Sequence, residues 1–192
     1  MKKILLAVLV AGSLIPAQAT VHQYVLNFAQ EGTGSPGTGT GSVNYDDAGH
    51  LLQLQATFSG LQGTVTISHL HAPTTTPFTG NAGVATTTPT LVGFPAGVFS
   101  GSYSNTLDLT QSGSWNGAFI TANGSIGGAE TALASAMATG RTYWNIHTSS
   151  FGGGEIRGYL TAVPEPSSLA LAVLGVAGIA ARMWRQRRLN NS

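Results

Sequence analysis

His69 and His71 stand two apart in Ser68-His69-Leu70-His71-Ala72, and a third histidine, His147, lies far downstream in Trp144-Asn145-Ile146-His147-Thr148. On an extended strand, residues i and i+2 share a face about 7 Å apart at Cα, so both imidazoles of a His-x-His pair reach one ion. His147 supplies a third nitrogen. With no cysteine in the chain, an all-nitrogen set suits copper or zinc. The same imidazoles have a second use, hydrogen bonding to buried carbonyls, and the sequence leaves both readings open. His22 and His50 read as strand-end or turn residues rather than ligands.

Other chemistry is sparse. Glu155 and Arg157 are two apart and share a strand face, which predicts a structural ion pair with each other or with Arg141. General acid-base catalysis wants two carboxylates in one pocket; Glu130 and Glu155 are the candidates near these motifs, and nothing in the sequence pairs them. No Gly-x-Ser-x-Gly elbow and no phosphate-binding loop occurs. The expectation is therefore no catalytic residue and no enzyme. Trp115, Tyr143 and Trp144 read as core aromatics.

The elements that must position these groups are strands. Between residues 20 and 163 charged side chains are scarce, while Gly, Ser, Thr and Asn abound, a composition that favours short strands joined by polar turns. At 51–58, Leu52, Leu54, Ala56 and Phe58 alternate with Gln53, Gln55 and Thr57, as on a half-buried strand. Further strands are expected near 22–29, 40–45, 64–71, 98–109, 115–120, 141–148 and 155–161. One helix is expected over 130–138, closed by Gly140. Two Gly/Thr/Pro-rich loops, 32–41 and 73–89, are expected to be mobile or adapted to a partner. The fold class is all-β: a single Greek-key barrel or sandwich with one short helix.

Both ends read as addresses. Lys2 and Lys3 precede an apolar stretch and then Ala17-Gln18-Ala19, a small-x-small site that predicts a signal peptide over 1–19, removed by signal peptidase. Between the ends, six carboxylates face two arginines, a formal charge of −4. That balance argues against a nucleic-acid partner. At the other end, Pro164-Glu165-Pro166 breaks any helix, an apolar run follows from 169 to 181, and Arg182, Arg185, Arg187 and Arg188 come last. A membrane helix is expected over about 168–184, with the arginines holding the C-terminus in the cytoplasm and 189–192 as a tail.

The order Pro-Glu-Pro, short apolar helix and arginine cluster over 163–188 resembles the PEP-CTERM sorting signal of Gram-negative bacteria. The resemblance implies processing by exosortase, an inner-membrane intermediate, and delivery to the cell surface or extracellular matrix. The body of the chain, 20–162, resembles the CHRD domain, named after chordin. The residues that carry the likeness are His69-Leu70-His71, Ser112-Gly113-Ser114-Trp115, Tyr143-Trp144-Asn145-Ile146-His147-Thr148 and Gly154-Glu155-Ile156-Arg157-Gly158-Tyr159-Leu160. Trp115, Asn145, Glu155 and Arg157 are marked as structural members of that motif set. The family implies no established enzyme activity, so the expected role is a non-catalytic surface or matrix module, with exopolysaccharide or surface proteins as partners. A copper- or zinc-binding exported module is the alternative.

Overall fold

The computed structural model describes residues 20–30, 32–164 and 166–190, with side chains at 166–173 and 188–190 left out. The predicted signal segment, including Ala17 and Ala19, and Glu165 of the tail lie outside the described residues.

Eight strands form one antiparallel sheet. They are β1 (Val21–Gln30), β2 (Thr38–Asp46), β3 (Leu51–Ser59), β4 (Val65–His71), β5 (Gly101–Asp108), β6 (Tyr143–Thr148), β7 (Ile156–Tyr159) and β8 (Thr161–Ala162). Their spatial order is β4-β6-β7-β1-β2-β3-β5, with β8 beside β1. The sheet curls so that its two ends approach. Val65 N–H donates to the Val98 carbonyl at 2.9 Å, and Gly97 N–H to the Val65 carbonyl at 2.8 Å, linking the start of β4 to the segment leading into β5. The expected all-β barrel or sandwich thus takes the form of a curled half-barrel.

Period-2 alternation fills its concave side. Leu52, Leu54, Ala56 and Phe58 of β3 are at most 4% exposed while their neighbours on the strand face solvent, the pattern of a sheet with one buried face. Tyr24, Leu26 and Phe28 of β1 and Val43 and Tyr45 of β2 join them, and Trp144, Ile146, Ile156 and Leu160 meet them from the β6–β7 side. The helix α2 (Ile126–Ala138) closes one end through Leu133 and Met137. It begins before the expected 130–138 because the Ser125 hydroxyl caps it by accepting from Gly128 N–H; two glycines, Gly127 and Gly128, hid that first turn from propensity.

One expected strand is corrected. The strand predicted over 115–120 is instead a short helix, α1 (Gly117–Ala122). The Asn116 carboxamide accepts from Ala118 N–H at 3.0 Å and starts a helical turn, a local competition that short polar side chains commonly win; only Trp115 keeps a bridge, to Thr86. The loop over 73–89, expected to be mobile or adapted to a partner, is exposed over 75–81 and packed on either side of that stretch. Thr74, Ala85 and Thr86 are fully buried, and the segment covers the outer edge of β4: Ala85 N–H donates to the Leu70 carbonyl and Leu70 N–H to the Thr86 hydroxyl. An edge strand left bare would be a pairing hazard, and this loop removes it.

Beyond the domain runs α3 (Pro166–Asn190), where a helix was expected after the Pro-Glu-Pro break. Leu174, Val176 and Ile179 on it are exposed. Among the described residues, no helix is long and apolar enough to cross a membrane.

Candidate metal centre

Strands β4 and β6 pair antiparallel with His69 opposite Asn145, His71 opposite Tyr143 and Ile67 opposite His147. His69, His71, Tyr143, Asn145 and His147 therefore share one face, while Leu70, Trp144 and Ile146 point into the core from the other. The core covers one face of β6, the 73–89 loop and Gly152 and Gly153 lie against the other, and all six of its residues are buried. The three histidines predicted from the sequence thus come together. Their ligand nitrogens lie within 4.8 Å of one another, and their ring centroids are 5.3 to 5.9 Å apart.

Each ring is held by one backbone carbonyl. His69 Nε2 bonds the Pro89 carbonyl, His71 Nδ1 the Ala82 carbonyl at 2.9 Å, and His147 Nδ1 the Gly152 carbonyl at 2.9 Å. A carbonyl only accepts, so each of these nitrogens carries the proton and the other nitrogen of each neutral ring presents a lone pair. Two of those lone pairs, on His69 Nδ1 and His71 Nε2, are buried and have no hydrogen-bond partner among the described residues. The third, on His147 Nε2, accepts from the Asn145 carboxamide nitrogen at 3.3 Å. Buried polar atoms are ordinarily satisfied, and leaving one bare costs about 1–3 kcal/mol. Two side by side, in rings already fixed by carbonyls, form the arrangement in which metal-bound imidazoles donate their remote N–H to an outer acceptor.

Electrostatics agree. Burial pushes His69 down, against its carbonyl bond and with help from His147. Burial also pushes His71 down to about 4, against the Ala82 bond and assisted by the other two histidines. Near neutral pH both rings are uncharged, the form a metal needs. Nitrogens bound tetrahedrally at about 2.0–2.1 Å lie about 3.4 Å apart, so the three would have to close by roughly 1 Å to share one ion.

The other half of this sheet end is built differently. Glu155, 1% exposed, immediately precedes β7, and its carboxylate accepts from the Ser35 hydroxyl at 2.5 Å, Gln62 N–H at 2.5 Å, Gly63 N–H at 3.0 Å and the Thr148 hydroxyl at 2.7 Å. Burial raises its pKa, but these four donors outweigh that and hold the carboxyl below its ordinary value. The predicted pairing of Glu155 with an arginine is replaced by hydroxyls and amides that converge on it from the 32–37 loop, the 60–63 turn and the end of β6. Arg157 instead donates to Asn81 Oδ1 at 2.7 Å and lies over the Tyr143 ring at 4.7 Å; Tyr143 in turn stacks on His71 at 4.8 Å. Arg141 Nε donates to the Thr74 carbonyl, fastening the covering loop.

The remaining polar residues lie elsewhere. His50 pairs with Glu130 at 3.0 Å, and Tyr45 donates to the same carboxylate at 2.9 Å, tying α2 to the barrel end. His22 stacks on Tyr45. Trp115 is buried and donates from Nε1 to the Leu109 carbonyl at 2.9 Å, and Trp144 donates to Ser68 Oγ at 2.8 Å; both are core residues. Sequence reasoning missed the carbonyls of Ala82, Pro89 and Gly152, since every residue has one and no side-chain type marks it.

A CHRD domain model matches residues 17–160, and a model of the PEP-CTERM protein-sorting motif matches residues 162–188. The chain belongs to the CHRD domain family. The CHRD match spans every strand that builds the histidine cluster and the Glu155 cradle, and the sorting motif makes this CHRD protein an exosortase-targeted exported protein sorted to the cell surface. Neither family is enzymatic. No curated protein and no solved structure matches the chain.

Proposed function

We propose that this protein is a non-catalytic surface or matrix module whose CHRD domain is organised around a three-histidine centre for copper or zinc, held by His69, His71 and His147. The observation that carries this reading is the pair of buried, partnerless lone pairs on His69 Nδ1 and His71 Nε2, beside a third imidazole and fixed by carbonyl anchors. Imidazole nitrogen suits copper and zinc, and the set contains no softer or harder ligand to favour another ion. A metal buried at His69, His71 and His147 would act as a stabiliser of the fold, with exopolysaccharide and surface proteins as the partners of the module's outer surface. Signal peptidase at Ala17-Gln18-Ala19 and exosortase near Pro164-Glu165-Pro166 would process the ends. Before that cut, the segment 168–184 would sit in the inner membrane with Arg182, Arg185, Arg187 and Arg188 on the cytoplasmic side.

Elemental analysis of the full-length chain purified from copper- or zinc-supplemented cells tests the centre. One equivalent of metal in the wild type, absent from the His69→Ala/His71→Ala double variant, is the expected result. A folded wild type that stays metal-free after incubation with either ion would leave the histidines as hydrogen-bonding groups.

A further inference from the structure

Of the three lone pairs aimed at one another, only that of His147 is already used. The Asn145 carboxamide spends one N–H on the Gly153 carbonyl at 3.1 Å and the other on His147 Nε2 at 3.3 Å. The Gly153 bond fixes which end of the amide faces the histidine, since the carboxamide oxygen would meet a carbonyl there. A glycine loop holds it in that pose. Gly154 has φ +117°, and a Cβ on it would lie 2.2 Å from Asn145 Oδ1, so no other residue leaves room for the amide.

An ion about 2 Å from His147 Nε2 would sit on the lone pair that now accepts from Asn145, roughly 1 Å from the amide nitrogen. The two cannot coexist. Asn145 also lines an open cleft of roughly 370 Å³ with Asn81, Gly153, Gly154 and Arg157, which provides the space into which the displaced amide moves.

We infer that Asn145 is a latch on the metal centre: its carboxamide competes with the ion for His147 Nε2 and must swing toward the Arg157 cleft before three-histidine coordination completes. The inference rests on the three-histidine reading above. Its consequence is a reduced apparent affinity, because the binding-competent rotamer is only a fraction of the population. A single neutral hydrogen bond is worth about a three- to tenfold factor. Capture in the wild type also includes an opening step whose rate does not depend on metal concentration.

The test uses the full-length chain stripped with chelator and titrated with copper(II) or zinc salts alone. Wild type, Asn145→Ala and Asn145→Ser are compared by affinity and by stopped-flow capture. Both variants lack a donor that reaches His147, and the serine variant keeps a small polar group if the alanine variant fails to fold. The expected result is about three- to tenfold tighter binding in the variants, with capture linear in metal concentration where the wild type saturates. Metal binding by a variant when the wild type binds none would support the same inference. Equal or weaker binding in folded variants would overturn the latch while leaving the centre intact. No binding by any form would overturn both.

Discussion

Two buried polar clusters lie at the same end of the β4–β6–β7 sheet, a few residues apart, and they are satisfied to different degrees. The Glu155 carboxylate receives four donors from two loops and the end of β6, whereas the histidine cluster keeps two ring nitrogens with no partner among the described residues. A fully satisfied buried charge pins segments together and offers nothing further to bind. A buried cluster that is anchored on its outer side and bare on its inner side is held ready for something the chain does not supply. On the proposed reading, the contrast separates a structural site from a binding site although both lie in the same motif set.

The largest way to sharpen that contrast is to add metal. At a free concentration about a thousandfold above Kd, copper or zinc should stabilise the wild type by about 4 kcal/mol, raising Tm by more than 10 °C for a domain of this size. His69→Ala/His71→Ala should remove the metal-dependent shift. Equal melting with metal and with chelator would erase the distinction between the two clusters.

Next comes Glu155→Gln, which keeps the shape but turns an amide N–H toward donors. A cost of about 3 kcal/mol, read as a Tm lower by roughly 10 °C at pH 7, is expected from leaving buried donors unmet. The pH dependence carries a definite sign. The folded carboxyl titrates below its ordinary value, so its stabilisation is complete above the unfolded carboxylate pKa of about 4.3 and is lost as pH falls through the folded value. The wild-type advantage over the glutamine variant should therefore shrink in acid, and a gap of the same size at every pH down to acid unfolding would argue against a charged cradle. Metal stoichiometry in this variant should stay unchanged.

The smallest effect is expected at His50→Gln. His50 is a histidine with a carboxylate partner, but its side chain is half exposed, and such pairs are worth about 0–1 kcal/mol. A larger loss, or any loss of bound metal, would show that the histidines do not divide as the geometry divides them.

Much of the fold was legible from side-chain periodicity. The alternation at 51–58 appears as the buried face of β3, and the spacing of His69 and His71 placed them on one face before any tertiary contact was known. Where local hydrogen bonding competed with alternation the reading failed: Asn116 turned an expected strand into α1. The loop at 73–89 looked featureless because its binding groups are main-chain amides and carbonyls that cover β4, invisible to composition. Glu155 and Arg157 were read as an ion pair on alternate positions, yet Glu155 is taken by Ser35, Gln62, Gly63 and Thr148 and Arg157 donates to Asn81.

By itself the sequence determined the sorting motif at its C-terminal end, the β class of the middle and the candidacy of three histidines, because each of these depends on residue type and short spacing. Only the tertiary structure decided that His147 meets the other two, that carbonyls of Ala82, Pro89 and Gly152 turn the free nitrogens inward, and that Asn145 stands against one of them. Register across non-adjacent segments and the direction of backbone groups set those facts, and neither leaves a mark on side-chain identity.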